Sequence, residues 1–237
     1  MESRKMKEAF HRIQINNQEL WLAERKKRIQ ASDAAVIIGV SPWKTITQLY
    51  DEKQGLIEEK DISDKSYVQY GKAMEPLIRA QFLLDLPYFE VEYHEYDILV
   101  NNERPWQACT LDGELTVIKE NPWDIPIGEM VPFEAKTGHF KSYDDYKKWC
   151  LFPMHYYTQV CHHFSVTGCR YEFTASRIIR DPFKEEDNGF PEVRTIYHLF
   201  RRSEPQLAQD IEIVEEKETD FYQSLLLNER PALTLSF

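Results

Sequence analysis

The stretch Val-Pro-Phe-Glu-Ala-Lys-Thr-Gly (VPFEAKTG, residues 131–138) decides the reading of this chain. An apolar lead-in runs into a glutamate and a lysine two positions apart, and a glycine closes the run. In an extended strand, residues i and i+2 share a face and lie about 6.5–7 Å apart along the chain. Glu134 and Lys136 therefore project together, while Phe133 and Ala135 face the other way. Such a face is either an exposed sheet surface with an ion pair or the wall of a reactive pocket. The pattern Glu-x-Lys recurs at Glu24/Lys26, Glu58/Lys60 and Glu215/Lys217. Those three lie in polar, helix-like segments where solvated charge is sufficient explanation.

Working outward, FEVEYHEYDILV (89–100), WQACTLDGELTVI (106–118) and EMVPFEAKTG (129–138) alternate and are rich in β-branched and aromatic residues. They predict three or four strands of one sheet, with the proline-bearing NPWDIPIG (121–128) as a loop. Upstream, the pattern is helical. NQELWLAERKKRI forms one helix, Ser32 caps a short one ending at Gly39, ITQLYDEKQG ends at Gly55, and a long helix runs from about Asp64 to Leu86. Downstream come a helix over 153–168 closed by Gly168, strands CRYEFTASRII and VRTIYHLFRR separated by the polar 181–192, and a last helix. The fold class is mixed α/β (α+β), a central mixed sheet flanked by helices. We read residues 1–237 as one domain: an N-terminal helical region to about residue 60, a core from about 64 to 202, and a C-terminal helix over about 204–228.

Composition narrows the function classes. Hydrophobic residues at 42% and aromatics at 13% support a substantial core. No apolar run reaches the roughly 20 residues of a membrane span, and the polar N-terminus lacks a signal-peptide core; a cytoplasmic protein is expected. The four cysteines, at 109, 150, 161 and 169, form no CxxC pair and suit a reducing compartment. Cys161, His162 and His163 fall on a helix, where adjacent histidines point apart, so structural thiols are the better reading than zinc or an iron–sulfur cluster. The net charge of −11 argues against a sequence-independent nucleic-acid binder, although ERKKR at 24–28 and Arg201–Arg202 leave room for a confined basic patch.

Two further carboxylates belong with Glu134. Asp112, in LDGEL, ends a strand-like run. If its strand pairs with that of Glu134, the two carboxylates approach closely, although Asp-Gly is also an ordinary turn. Glu75, in GKAMEPLIRA, lies on the long helix and could equally face solvent. Like charges 4 Å apart cost roughly 4 kcal/mol at an effective dielectric near 20, and one lysine cannot offset three. Divalent cations can, and oxygen donors select magnesium or manganese.

The set Gly-x-x-x-Glu (71–75), Asp-Gly (112–113), Glu-Ala-Lys (134–136) and Tyr-x-x-Gln (156–159), with Trp21, Arg25 and Ser32 upstream, resembles the lambda exonuclease / YqaJ-type viral recombinase family of PD-(D/E)xK nucleases. The resemblance runs from about residue 21 to 168. Leu111 stands where the superfamily name has proline, Ala135 is smaller than the usual hydrophobe, and residues 114–130 read as an elaboration.

This likeness implies a PD-(D/E)xK core with two magnesium ions per site, manganese substituting. Asp112, Glu134 and the Ala135 backbone carbonyl would be ligands, with Glu75 joining directly or through water. Gln159 would complete the site, Lys136 would activate or orient the attacking water, and Arg25, Ser32 and Thr110 would grip a 5′-terminal phosphate. A guanidinium forks onto phosphate oxygens, and a helix start at Ser32 suits an anion; a surface arginine and a plain N-cap are the simpler alternatives. The implied activity is 5′-to-3′ resection of linear double-stranded DNA, leaving 3′ tails for a single-strand annealing recombinase, by a homotrimer in the cytoplasm of a phage- or prophage-bearing host. A PD-(D/E)xK endonuclease, a single-strand exonuclease of the RecB type, and a non-catalytic acidic DNA mimic or end-binding adaptor are the rivals.

Overall fold

The structure is a computed structural model, described over residues 9–180 and 192–232. Its elements in order are β1 (Phe10–Gln14), α1 (Gln18–Lys26), α2 (Ala31–Ile37), α3 (Ile46–Lys53), α4 (Ser66–Asp85), β2 (Phe89–Glu92), β3 (Asp97–Asn101), β4 (Ala108–Cys109), β5 (Gly113–Val117), β6 (Met130–Phe140), α5 (Tyr143–Cys150), α6 (Met154–Thr167), β7 (Tyr171–Arg180), β8 (Val193–Arg201) and α7 (Pro205–Leu227). A five-stranded mixed sheet has the order β2-β5-β6-β7-β8, and a three-stranded sheet the order β1-β3-β4. The mixed α/β class with helices flanking a central mixed sheet is therefore observed.

Strand β6 is the spine. Its first half pairs antiparallel with β5 (Gly113↔Phe133), and its second half pairs parallel with β7 from Phe133↔Phe173 to Phe140↔Arg180. One face buries Phe133, Ala135, Phe173 and Ala175 against Ile78 and Phe82 of α4. The opposite face carries Glu134 and Lys136, with α6 above it. The period of two assigned these faces correctly because burial of one side pins the register. At Gly138 an added Cβ would sit 1.9 Å from the Trp149 ring, so α5 can pack on β6 only where no side chain intervenes.

The helices start and stop by local chemistry. Asn17 caps α1 through the Leu20 N–H, Thr45 and Gln48 form a capping box on α3, and Gly168, at φ +64°, ends α6. Helix α4 continues through Pro76, which lacks an N–H for the Lys72 carbonyl. The polar segment expected at 181–192 lies outside the described residues, apart from Glu192.

Four expectations are corrected. The N-terminal region is not all helical: Phe10–Gln14 is a strand paired with Asp97–Asn101, because cross-strand hydrogen bonds and burial of Ile13 against Ile98 and Val100 override a weak amphipathic pattern. The middle strands do not share one sheet; the first two runs each break in two, at Tyr96 (φ 61°) and across Thr110–Asp112, and β3 and β4 pair in the smaller sheet. Ser32 is not an N-cap. Gln30 is, and the Asp33 carboxylate accepts its backbone N–H at 3.0 Å, so Ser32 lies in the first turn. Finally, helix α5 went unread, its nucleus being Ser142 capping Asp145 beside two acidic residues.

Candidate active site

Strand β5 begins at Gly113, so beyond Phe133 the β5-side edge of β6 has no strand partner. The chain segment leading into β5 occupies that edge. The Asp112 carboxylate accepts the Ala135 backbone N–H at 2.9 Å. A strand residue's N–H and C=O project to the same side, so the Ala135 carbonyl is directed to the edge where Asp112 lies. Helix α4 closes the corner: Arg79 donates to the Asp112 carbonyl at 2.7 Å and stacks on Tyr93 at 4.1 Å. Glu75 stands one turn earlier on the same helix face.

Glu134, 7% exposed, is ion-paired with the Lys136 ammonium. Lys136 also donates to Gln159 Oε1 at 2.8 Å, with its Nζ 4.8 Å from the Tyr156 ring centre. Beside Lys136 a cleft of about 570 Å³ opens, lined among others by Tyr67, Tyr70, His139 and Tyr156.

The electrostatics show that these groups share one environment. Burial, then the charges of Glu134 and Glu75, hold the Asp112 carboxyl well above the usual range. Burial and Glu134 push Glu75 up as well. Burial works against the Lys136 ammonium, but Glu134 and Asp112 outweigh it and keep the amine more basic than usual. Lys136 is thus a protonated donor at neutral pH.

Arg25 belongs to the same field. It is half-buried, its guanidinium lies 4.3 Å over Trp21, and burial lowers its basicity against the opposing charges of Asp33, Glu59, Glu134 and Asp112. It makes no ion pair among the described residues. Thr110 is half-buried two residues before Asp112, whereas Ser32 is exposed on the seven-residue α2. Neither hydroxyl is hydrogen-bonded among the described residues. The structure therefore brings together Glu75, Asp112, Glu134, Ala135, Lys136 and Gln159, places Arg25 within their field, and leaves Ser32 without a contact to them.

Sequence reasoning missed Arg79; its signal was the i+4 spacing from Glu75. Among the described residues, no group of three His, Cys, Asp or Glu side chains stands ready to hold an ion, because Glu134 is turned onto Lys136 and Asp112 onto the Ala135 N–H. The donor set nevertheless fits a hard divalent cation: carboxylate and carbonyl oxygens, with two carboxyls whose proton affinity is raised by burial and by neighbouring negative charge. No helix among the described residues is long and apolar enough to cross a membrane.

A family model, the YqaJ-like viral recombinase domain, matches residues 20–170. The chain is 27% identical over 154 residues to the uncharacterized protein YqaJ of Bacillus subtilis (strain 168), covering 64% of this chain and 43% of that protein. The match thus spans less than half the length of that curated relative. Among solved structures, the alkaline exonuclease LHK-Exo from Laribacter hongkongensis superposes with a TM-score of 0.61 at 15% identity, over 90% of this chain and 94% of that one. A phage-related exonuclease from Haemophilus somnus 129PT superposes with a TM-score of 0.51 at 12% identity, over 85% and 96%. At these identities the likeness establishes the fold.

Proposed function

The chain belongs to the YqaJ-like viral recombinase domain family, and from that premise we propose that it is a metal-dependent exodeoxyribonuclease resecting linear double-stranded DNA 5′ to 3′ from phosphorylated ends. Family membership and a fold shared with exonucleases support a nuclease acting on DNA. The observation that carries the finer reading is the corner at Ala135. Asp112 is docked on its N–H, Glu134 and Lys136 flank it on one face, and Glu75 is close enough for Glu134 to raise its pKa.

Asp112, Glu134, the Ala135 carbonyl and Glu75 would hold two magnesium ions, or manganese in their place. When bound, these ions supply positive charge to the phosphoryl centre and a nucleophile at neutral pH. The protein's own groups do the rest. Lys136, held protonated between Glu134 and Gln159, orients the nucleophile and donates to a phosphate oxygen; its raised pKa makes it a donor and not a resting base. Arg25, braced on Trp21, forks onto the terminal phosphate, with the Thr110 and Ser32 hydroxyls as further donors. The 3′ single-stranded tail left behind is the substrate an annealing recombinase requires, and that is the partner we assign. A homotrimer is the assembly implied by the family resemblance.

The test is digestion of linear duplexes bearing 5′-phosphate or 5′-hydroxyl ends, with and without magnesium, beside closed circular DNA. Mononucleotides released from phosphorylated ends in magnesium alone, with circles intact, are expected. Cleavage of circles would replace the exonuclease with an endonuclease, and hydrolysis undiminished by EDTA would remove the metal.

A further inference from the structure

Helix α7 lies outside the matched family residues 20–170, yet it inserts a carboxylate into the centre of the molecule. Glu218, His162 and Gln107 are each 0% exposed. Both Glu218 oxygens are engaged, one with His162 Nδ1 at 2.7 Å and the other accepting from Gln107 Nε2 at 2.7 Å. The other ring nitrogen, His162 Nε2, lies 2.9 Å from the Ala108 carbonyl. A carbonyl only accepts, so Nε2 carries a proton. Ser165 and Asn101 complete the Gln107 amide's bonding at 2.8–3.0 Å. At the rim, Glu215 of α7 binds Arg104 at 2.9 Å, and Tyr222 stacks flat on Trp106 at 4.8 Å.

This network grips one short piece of backbone. Gln107 bridges Ile29 in parallel: the Ile29 N–H donates to the Trp106 carbonyl at 2.7 Å, and the Ala108 N–H to the Ile29 carbonyl at 2.9 Å. Directly upstream of Ile29 is α1 with Arg25, whose carbonyl accepts from the Gln30 side chain at 3.2 Å. Directly downstream of Ala108 come Thr110 and Asp112. Glu218 thus binds, through Gln107 and His162, the backbone that bridges the segment bearing Arg25 to the segment bearing Thr110 and Asp112.

We propose that Glu218 is a positioning residue for binding of the DNA end: helix α7 is a clamp that holds the phosphate-gripping Arg25 and Thr110 in register with the carboxylate corner. The role rests on the exonuclease reading above, and it extends that reading to a helix the family match does not reach.

The test compares the full chain carrying Glu218→Ala, Glu218→Gln, Tyr222→Ala or Val214→Ala by amide hydrogen exchange and by kinetics on 5′-phosphorylated and 5′-hydroxyl duplex ends. Glu218→Ala should lose protection at residues 25–33 and 106–112 while β6 and β7 keep theirs. Its KM for phosphorylated ends should rise about tenfold with kcat nearly unchanged, since small misplacements of binding groups are costly. Glu218→Gln should restore both readouts, because an amide can accept from Gln107 and donate to His162 Nδ1. Tyr222→Ala should shift the same segments to a smaller extent, and it decides the matter if Glu218→Ala does not fold. Val214→Ala, buried in a different cluster of the same helix, should lower Tm without moving either readout. If the Glu218→Ala (or Tyr222→Ala) exchange map or end preference matches that of Val214→Ala, the clamp is overturned. A wild-type chain that hydrolyses no DNA end would break the exonuclease reading, while the exchange maps would still decide the clamp.

Discussion

Two polar constellations, both drawn inward from the surface, behave in opposite ways. Around Glu218, each carboxylate oxygen has a hydrogen-bond partner and the residues are sealed from solvent. Around Glu134, carboxylates crowd one another, two of them are pushed up by burial and like charge, and the arrangement opens onto a cleft. A buried network without like-charge crowding specifies geometry, whereas one whose carboxylates repel one another favours a cationic ligand. On the proposed reading, the open cluster is the one that performs chemistry and the sealed one positions it. Between them lies a third case, His163 paired with Glu172 at 2.9 Å behind the site, where the second carboxylate oxygen of Glu172 has no hydrogen bond.

The comparison breaks most directly at Lys136. Lys136→Ala should cut the single-turnover hydrolysis rate by about 10²–10³-fold, the range for removal of one preorganised donor, while DNA-end binding and magnesium-induced stabilisation persist. Wild-type rates in that variant would show the open cluster to be only another ion pair.

The intermediate case sharpens it. Burial pushes the Glu172 carboxyl up to about 7, against the partial opposition of His163. A folded-state value above the unfolded one gives stability that is present below about pH 4.5 and lost as pH rises through 7. His163, raised by Glu172 despite its burial, acts in the same direction. Thermal stability without divalent ions should therefore fall across pH 4.5–7, by on the order of 3 kcal/mol from Glu172 if it were isolated. Glu172→Gln should flatten the profile; a profile unchanged by that substitution would assign the slope to the Asp112 corner instead.

The smallest effect separates function from stability. Asp112→Asn removes a carboxyl that the fold disfavours, so the metal-free protein should gain about 1–2 kcal/mol in denaturant unfolding. Magnesium should raise the Tm of the wild type, and the same variant should lose that rise. Loss of stability would place Asp112 among the satisfied groups.

Much of the candidate site was legible in residues 131–138. The alternation around Glu134 and Lys136 survives in β6 because one face is packed against Ile78 and Phe82 and the other must be polar. Gln159 was legible only through family likeness, and Glu75 stood as one of two open readings without it, since nothing in a helix's own periodicity says which polar residue faces a distant strand. Arg79 was missed for the same reason, and Ser32 was given a capping role that Gln30 and Asp33 perform.

By itself the sequence determined the mixed α/β class, the polar face of β6, most helix boundaries and the excess of carboxylates near one lysine, because these follow from short-range periodicity, capping and charge. Tertiary structure alone decided that the middle strands divide between two sheets, that Asp112 docks on the open edge at Ala135, and that Glu218 binds Gln107 and His162 across the fold. Each joins residues far apart in sequence, and long-range pairing is set by burial and hydrogen-bond satisfaction across the whole fold, which no local pattern encodes.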